Sequence, residues 1–139
     1  MAAPDVERHV YAAFRILVGA LFPFHGLQKL FGLHGGDVVP VWSMYWFAGV
    51  IELAGGILVG VGLLTRVVAL VAAAQMAAAY VIAHLPRSIW PIENGGEPAA
   101  LFFLAFAYIA ARGPGHLSVD AGLRGAASRP GSRVRARAA

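Results

Sequence analysis

The 139-residue chain contains no cysteine. Disulfides, thiol redox couples and cysteine-ligated metal centres are therefore excluded, so any redox role must run through a bound cofactor or a partner protein. Charge is scarce as well. Asp, Glu, Lys and Arg make up 13% of the residues, against about 25% in soluble domains. With 59% hydrophobic residues, a soluble protein this small would have too much surface to hide its apolar side chains. Also missing are a phosphate-binding loop, zinc-ligand spacing and a serine-hydrolase elbow. The net charge of +4 does not point to nucleic acid, because five of the ten arginines lie in the last 16 residues. A basic tail beside a nearly neutral body suits anionic lipid headgroups, and the lipid bilayer is the expected partner.

What is present is a series of apolar runs separated by breakers. They predict four spans at about residues 10–31, 44–64, 66–85 and 98–111. Pro23 interrupts the first and GLHGGD closes it; Pro40 and a Ser43 N-cap introduce the second. Pro86 stops the third, and Pro98 opens the fourth at a favoured first helical position. The first three approach the roughly 20 residues that cross a bilayer, whereas the fourth is short. Only helices satisfy the backbone of such runs in lipid, so the fold class is all-α: an integral membrane four-helix transmembrane bundle over residues 1–122. The tight Thr65-Arg66 connection makes spans two and three antiparallel neighbours. From Leu123 the chain holds little to bury, and 123–139 reads as a disordered basic tail.

Arg8, Arg66, Arg112 and the tail arginines fall on one side of such a bundle, while only Lys29 and Arg87 fall on the other. The positive-inside rule then places both termini in the cytoplasm, with Trp42, Trp46 and Trp90 anchoring the outer interface. The N-terminus opens with Asp5 and Glu7 and carries Arg15 in its first apolar run, which does not read as a cleaved signal peptide.

In this frame the polar residues converge on the outer half. His25, Gln28 and Lys29 interrupt LFPFHGLQKLFG; Glu52 lies two turns into span two; Gln75 and His84 are on span three; Glu97 precedes span four. Arg15, Gly19, Phe22, Gly26 and Lys29 share one helical stripe, which predicts a face turned toward the bundle. Pro23 predicts a kink one turn below His25 that exposes the Gly19 carbonyl. Glu52 is the only carboxylate well inside a span, which makes it the natural counter-ion for Lys29, or for Arg15 if the helices slide. Plainer readings stand beside these. Lys29 is near enough to the surface to snorkel, as is Arg15 at the opposite end. His25 and Gln75 could serve as hydrogen-bonding glue between helices. Gly19, Gly26, Gly56 and Gly60 predict close helix packing, within one chain or in a homo-oligomer. His25 and His84 alone make no metal site, and no metal is assigned.

The chain resembles the DoxX family of small four-helix bacterial membrane proteins over roughly residues 11–122. The likeness rests on Arg15 followed by HGLQKLFG, on FAGVIELAGGILVGVGLLTR, and on ENGGEPAALFFLAFAYIAARGPG with the closing LSVD. Pro98 departs from the bulky residue expected after Glu97. The resemblance implies a multi-pass protein of the bacterial plasma (inner) membrane associated with redox work. One branch looks like a subunit of thiosulfate:quinone oxidoreductase, and others are linked to oxidative or quinone stress beside soluble redox enzymes. The resulting expectation is a membrane redox subunit with a quinone held by Lys29 and His25, oriented by Glu52, with Glu97 holding the start of span four. Two alternatives remain: a non-catalytic scaffold recruiting soluble redox partner proteins, and a small-solute transporter that would need to oligomerise.

Overall fold

A computed structural model describes residues 4–128 of the chain. Every regular element in it is helical: α1 (Pro4–Phe31), α2 (Met44–Val61), α3 (Thr65–Ala79), α4 (Pro91–Asn94), α5 (Glu97–Arg112) and α6 (Val119–Ala127). A single 3-10 turn, Leu33–Gly35, follows α1, and α3 continues as a π-helical turn, Tyr80–His84. Three runs are long and apolar enough to cross a membrane: Asp5–Phe31, Met44–Val61 and Thr65–His84. Helix α5 has 16 residues, about 24 Å of rise against a hydrocarbon core of about 30 Å. The fold is an all-α membrane bundle in which α5 is the short member.

Several boundaries differ from the sequence reading, each for a local reason. Helix α1 begins six residues before residue 10, with Asp5 and Glu7 in its first turn beside the positive end of the helix dipole. Helix α2 stops at Val61 rather than 64, because Gly62 and Leu64 both take left-handed backbone angles (φ 78 and 50) to reverse the chain into α3. Ser43 caps α2 by accepting a hydrogen bond from the Trp46 N–H at 3.1 Å. The stretch expected to be unstructured from Leu123 starts inside α6, which Ser118 caps through the Ala121 N–H. The rest of the basic tail, residues 129–139, lies outside the described residues.

Helices α1 and α2 meet through backbone rather than bulk. A Cβ on Gly19 would collide with the Gly60 backbone, one on Gly26 would lie 2.6 Å from the Gly49 carbonyl oxygen, and one on Gly56 would strike the Pro23 ring. In lipid there is no hydrophobic force to hold helices together, so such close approach supplies the dispersion contact that does. The four expected packing glycines thus serve an intrachain contact. Helix α1 runs unbroken through Pro23, and the Gly19 carbonyl lies against Gly56 in that contact.

On the other side, α3 packs its alanines (Ala69, Ala72, Ala73) and Met76 against Ala99, Phe106 and Ile109 of α5. The two pairs are joined by Phe22 of α1, whose ring lies 4.6 Å from Phe106 and 5.0 Å from Phe102. Leu17, Leu21, Val67, Leu70, Leu101 and Leu104 remain exposed on the outside, as lipid-facing side chains should.

Candidate functional site

The predicted stripe of α1 does face the bundle: Arg15, Gly19, Phe22 and Gly26 are buried and Lys29 is half-buried. This brings the last turn of α1 opposite Glu52, which sits eight residues, about 12 Å, along α2 from Met44. The Lys29 ammonium donates to both carboxylate oxygens of Glu52, at 2.8 Å and 2.6 Å. Glu52 is only 2% exposed. Gln75 of α3 reaches the same carboxylate, its Nε2 donating to Oε1 at 3.1 Å. An acceptor-only carboxylate therefore receives three hydrogen bonds, and Lys29 keeps one of its three N–H groups for another partner.

This triad forms the polar wall of a cavity of about 540 Å³ at the end of the bundle that bears the tryptophans. His25, one turn before Lys29 on the same face, also lines it, with its ring edge-on to Phe102 at 5.5 Å. His84 lines it as well. The π-helical turn sets its direction, because the extra residue is absorbed by a bond from the Leu85 N–H to the Tyr80 carbonyl. The turn ends the helix directly before Pro86. His84 Nδ1 lies 3.1 Å from the Asn94 carbonyl oxygen. A carbonyl only accepts, so Nδ1 carries a proton and donates it to Asn94. The remaining lining is mostly apolar, including Tyr45, Phe47, Ile51, Met76 and Ile82.

Two of the expected residues lie elsewhere. Gln28 points to the loop after α1, where its amide donates to the His34 carbonyl at 3.2 Å. Helical phase explains this: Gln28 is 100° away from Lys29 on the helix. Glu97 is exposed at the start of α5 and lines no part of the cavity. The sequence reading also missed Asn94. It is buried, and its side chain bonds Ser88, Tyr80 and Gly96, tying down the loop that meets His84. Its signal was the Asn-Gly-Gly turn, a strong punctuator between helices.

A second polar network occupies the opposite end. Arg15 does not snorkel: it is fully buried, and its guanidinium donates to the Val59 and Gly60 carbonyls at 2.6 Å and 2.8 Å and to the Leu117 carbonyl. The positive group thus sits on the negative end of α2, where the last carbonyls lack intrahelical donors. The Asp120 carboxylate performs the converse service for α3. It accepts from the Leu64 and Thr65 N–H groups at 2.9 Å and 3.0 Å and from the Thr65 hydroxyl at 2.8 Å. Burial pushes the Asp120 carboxyl up, but these Thr65 and Leu64 hydrogen bonds outweigh it and hold the group below its ordinary value. Among the described residues, no set of three His, Asp or Glu side chains is grouped as metal ligands would be.

Comparison with known proteins adds three findings. The family model described as DoxX matches residues 10–85. A Haemophilus influenzae protein described as uncharacterized is 37% identical over 121 residues, spanning 81% of this chain and 90% of that protein. The Bacillus subtilis protein named "Putative oxidoreductase CatD" is 32% identical over 112 residues, spanning 76% of this chain and 81% of its own length. No solved structure matches the chain at a significant level.

Proposed function

The chain belongs to the DoxX family, and from that premise we propose that it is the membrane subunit of a redox system holding a quinone-type ligand in the cavity beside Lys29 and Glu52. The observation that carries this reading is an ion pair built into the wall of an otherwise apolar cavity. Ionisable groups at membrane depth are costly and mark function by default. The glycine contacts hold α1 to α2 along the same face. The name of the Bacillus subtilis relative supports a redox role.

The residues suit such a ligand. A quinone supplies two-electron, two-proton chemistry on an apolar ring with carbonyl acceptors. Lys29 offers its third N–H to a carbonyl, while Glu52 fixes the ammonium in place and Gln75 fixes Glu52. His25 lies one turn away on the same wall and can hold or pass a proton. His84, its Nδ1 held by the Asn94 carbonyl, is a further polar group on the lining. The chain has no cysteine to carry electrons, so in this reading they pass through the bound ligand to or from a partner protein. In this reading the Arg66 end, with both termini, lies in the cytoplasm of a bacterial inner membrane, which the excess of basic residues at that end supports. In that orientation the cavity opens toward the outer half.

The test is mass spectrometry of organic extracts of the purified protein, comparing wild type with Glu52→Gln. Quinone that co-purifies with wild type and is depleted in the variant supports the reading. Equal quinone in both, or none in either with the bundle intact, refutes it. A second reading, a non-catalytic scaffold for soluble redox proteins, draws on the exposed α6 with Leu123 and Arg124. Deleting residues 123–139 removes Leu123 and Arg124 together with the tail; loss of partner capture would support the scaffold, and unchanged capture would refute it.

A further inference from the structure

The outer face of the α3–α5 pair carries a second cavity of about 550 Å³ that shares no lining residue with the first. Its floor is alanine (Ala73, Ala74, Ala107), and its rims are raised by Val67, Leu70 and Phe103. Val67 and Leu70 are 65% and 63% exposed. Arg66 closes one end. From Arg66 to Ala74 the groove follows eight residues of α3, about 12 Å, close to half the roughly 30 Å hydrocarbon core.

Arg66 is held in a fixed pose. Its Nη1 donates to the Ala110 and Ala111 carbonyls at 2.9 Å and 2.8 Å, and its Nη2 to the Arg112 carbonyl at 3.3 Å, so it caps the C-terminus of α5. Those three bonds leave the Nε–H and one Nη2–H, the two donors of a single guanidinium edge. That edge is the fork that matches phosphate oxygens bidentately. Gly113 lies beside it with φ 90, and a Cβ there would sit 3.0 Å from both Nε and Nη2. The glycine keeps the edge uncovered. Arg112 beside it pairs with Glu7 at 2.6 Å, whereas Arg66, like Arg124 of α6, is in no described ion pair.

We propose that this groove is a binding site for one anionic phospholipid, with its phosphodiester on the Arg66 fork and one acyl chain along the alanine floor. A groove that starts at a headgroup-level cation and spans one leaflet fits a lipid chain. A partner helix would run the full core and would need no anion.

The full chain, purified in a mild non-ionic detergent, can be presented with phosphatidylglycerol and phosphatidylcholine of identical chains and analysed by native mass spectrometry. Wild type should retain the anionic lipid about fivefold over the zwitterionic one, the ratio expected from one surface arginine. Arg66→Gln should bring the ratio close to one. Ala74→Leu, at an exposed position with the charge intact, should do the same by filling the floor. Arg87→Gln, at the other end, should leave it unchanged. Equal retention of the two lipids by wild type overturns the proposal, as does a preference that survives both variants. So does a wild-type dimer that Ala74→Leu converts to monomer with lipid retention unchanged, which would assign the groove to a second copy. Inorganic phosphate that displaces the lipid equally from wild type and Ala74→Leu would reduce the site to a headgroup contact and overturn the role of the groove.

Discussion

Replacing Lys29 with Met removes the ammonium but keeps most of the aliphatic stem. Glu52 then keeps only the Gln75 amide, while its side chain stays 2% exposed. Breaking a buried ion pair by deleting one partner typically costs about 3–5 kcal/mol, because the remaining charge is stranded in a low-dielectric site. The Lys29 side chain is 27% exposed, so some water screens the survivor and the lower end, about 3 kcal/mol, is expected. Lys29→Met/Glu52→Met should recover most of that loss, since an apolar pair of similar volume is often neutral or better. The assay is equilibrium unfolding in mixed micelles of increasing SDS fraction, run as a double-mutant cycle. A coupling of about 2–3 kcal/mol between the two positions is the expected result. Additive single-mutant effects, with a coupling below about 0.5 kcal/mol, would refute a desolvated pair and with it the ground for a functional cavity wall.

Other consequences follow from the packing and from the opposite end. Gly56→Ala drives a methyl into the Pro23 ring, so it should cost about 1–3 kcal/mol in the same unfolding assay. Gly122→Ala, which meets nothing within 4 Å, should cost far less. Arg15→Met strands the Gly60 and Leu117 carbonyls at once, while the Val59 carbonyl keeps the Gly62 N–H, and should cost about 2–3 kcal/mol or prevent recovery of folded protein. The pH dependence of α6 docking follows from Asp120. Its folded pKa lies below the ordinary 3.8, so its contribution to stability is complete above that value and lost as pH falls through the folded one. Hydrogen exchange at the Leu64 and Thr65 amides should therefore accelerate at strongly acidic pH. Asp120→Asn should exchange faster at neutral pH and lose that acid response.

Part of the site was legible because phase and charge arithmetic suffice for it. Residues 15, 19, 22, 26 and 29 repeat at helical spacing, and the face they define is the buried one. One carboxylate well inside a span and one lysine at matching depth leave little choice of partner, so Glu52 and Lys29 could be paired before any coordinates. Gln28 and Glu97 were drawn in by proximity along the chain, but one step of helical phase or one turn of exposed helix is enough to aim a side chain away from the cavity.

By itself, the sequence determined the environment, the helices and the absence of thiol chemistry, because composition and 3.6-residue periodicity are local properties that lipid enforces on the backbone. It left open whether the glycines served one chain or two, and it could not tell a snorkelling Arg15 from a buried one. Those questions turn on which surfaces meet across 33 to 102 positions of chain. The Gly19–Gly60 and Gly56–Pro23 contacts, the carbonyls of Val59, Gly60 and Leu117 around Arg15, and the Asp120 cap on α3 exist only once α1, α2 and the 113–120 loop are brought together. The direction of His84 likewise depends on a single π-helical turn, a defect in hydrogen-bond register that no residue pattern announces. Tertiary packing decided the placement of Arg15 and Asp120 because both side chains find their hydrogen-bond partners remote in sequence.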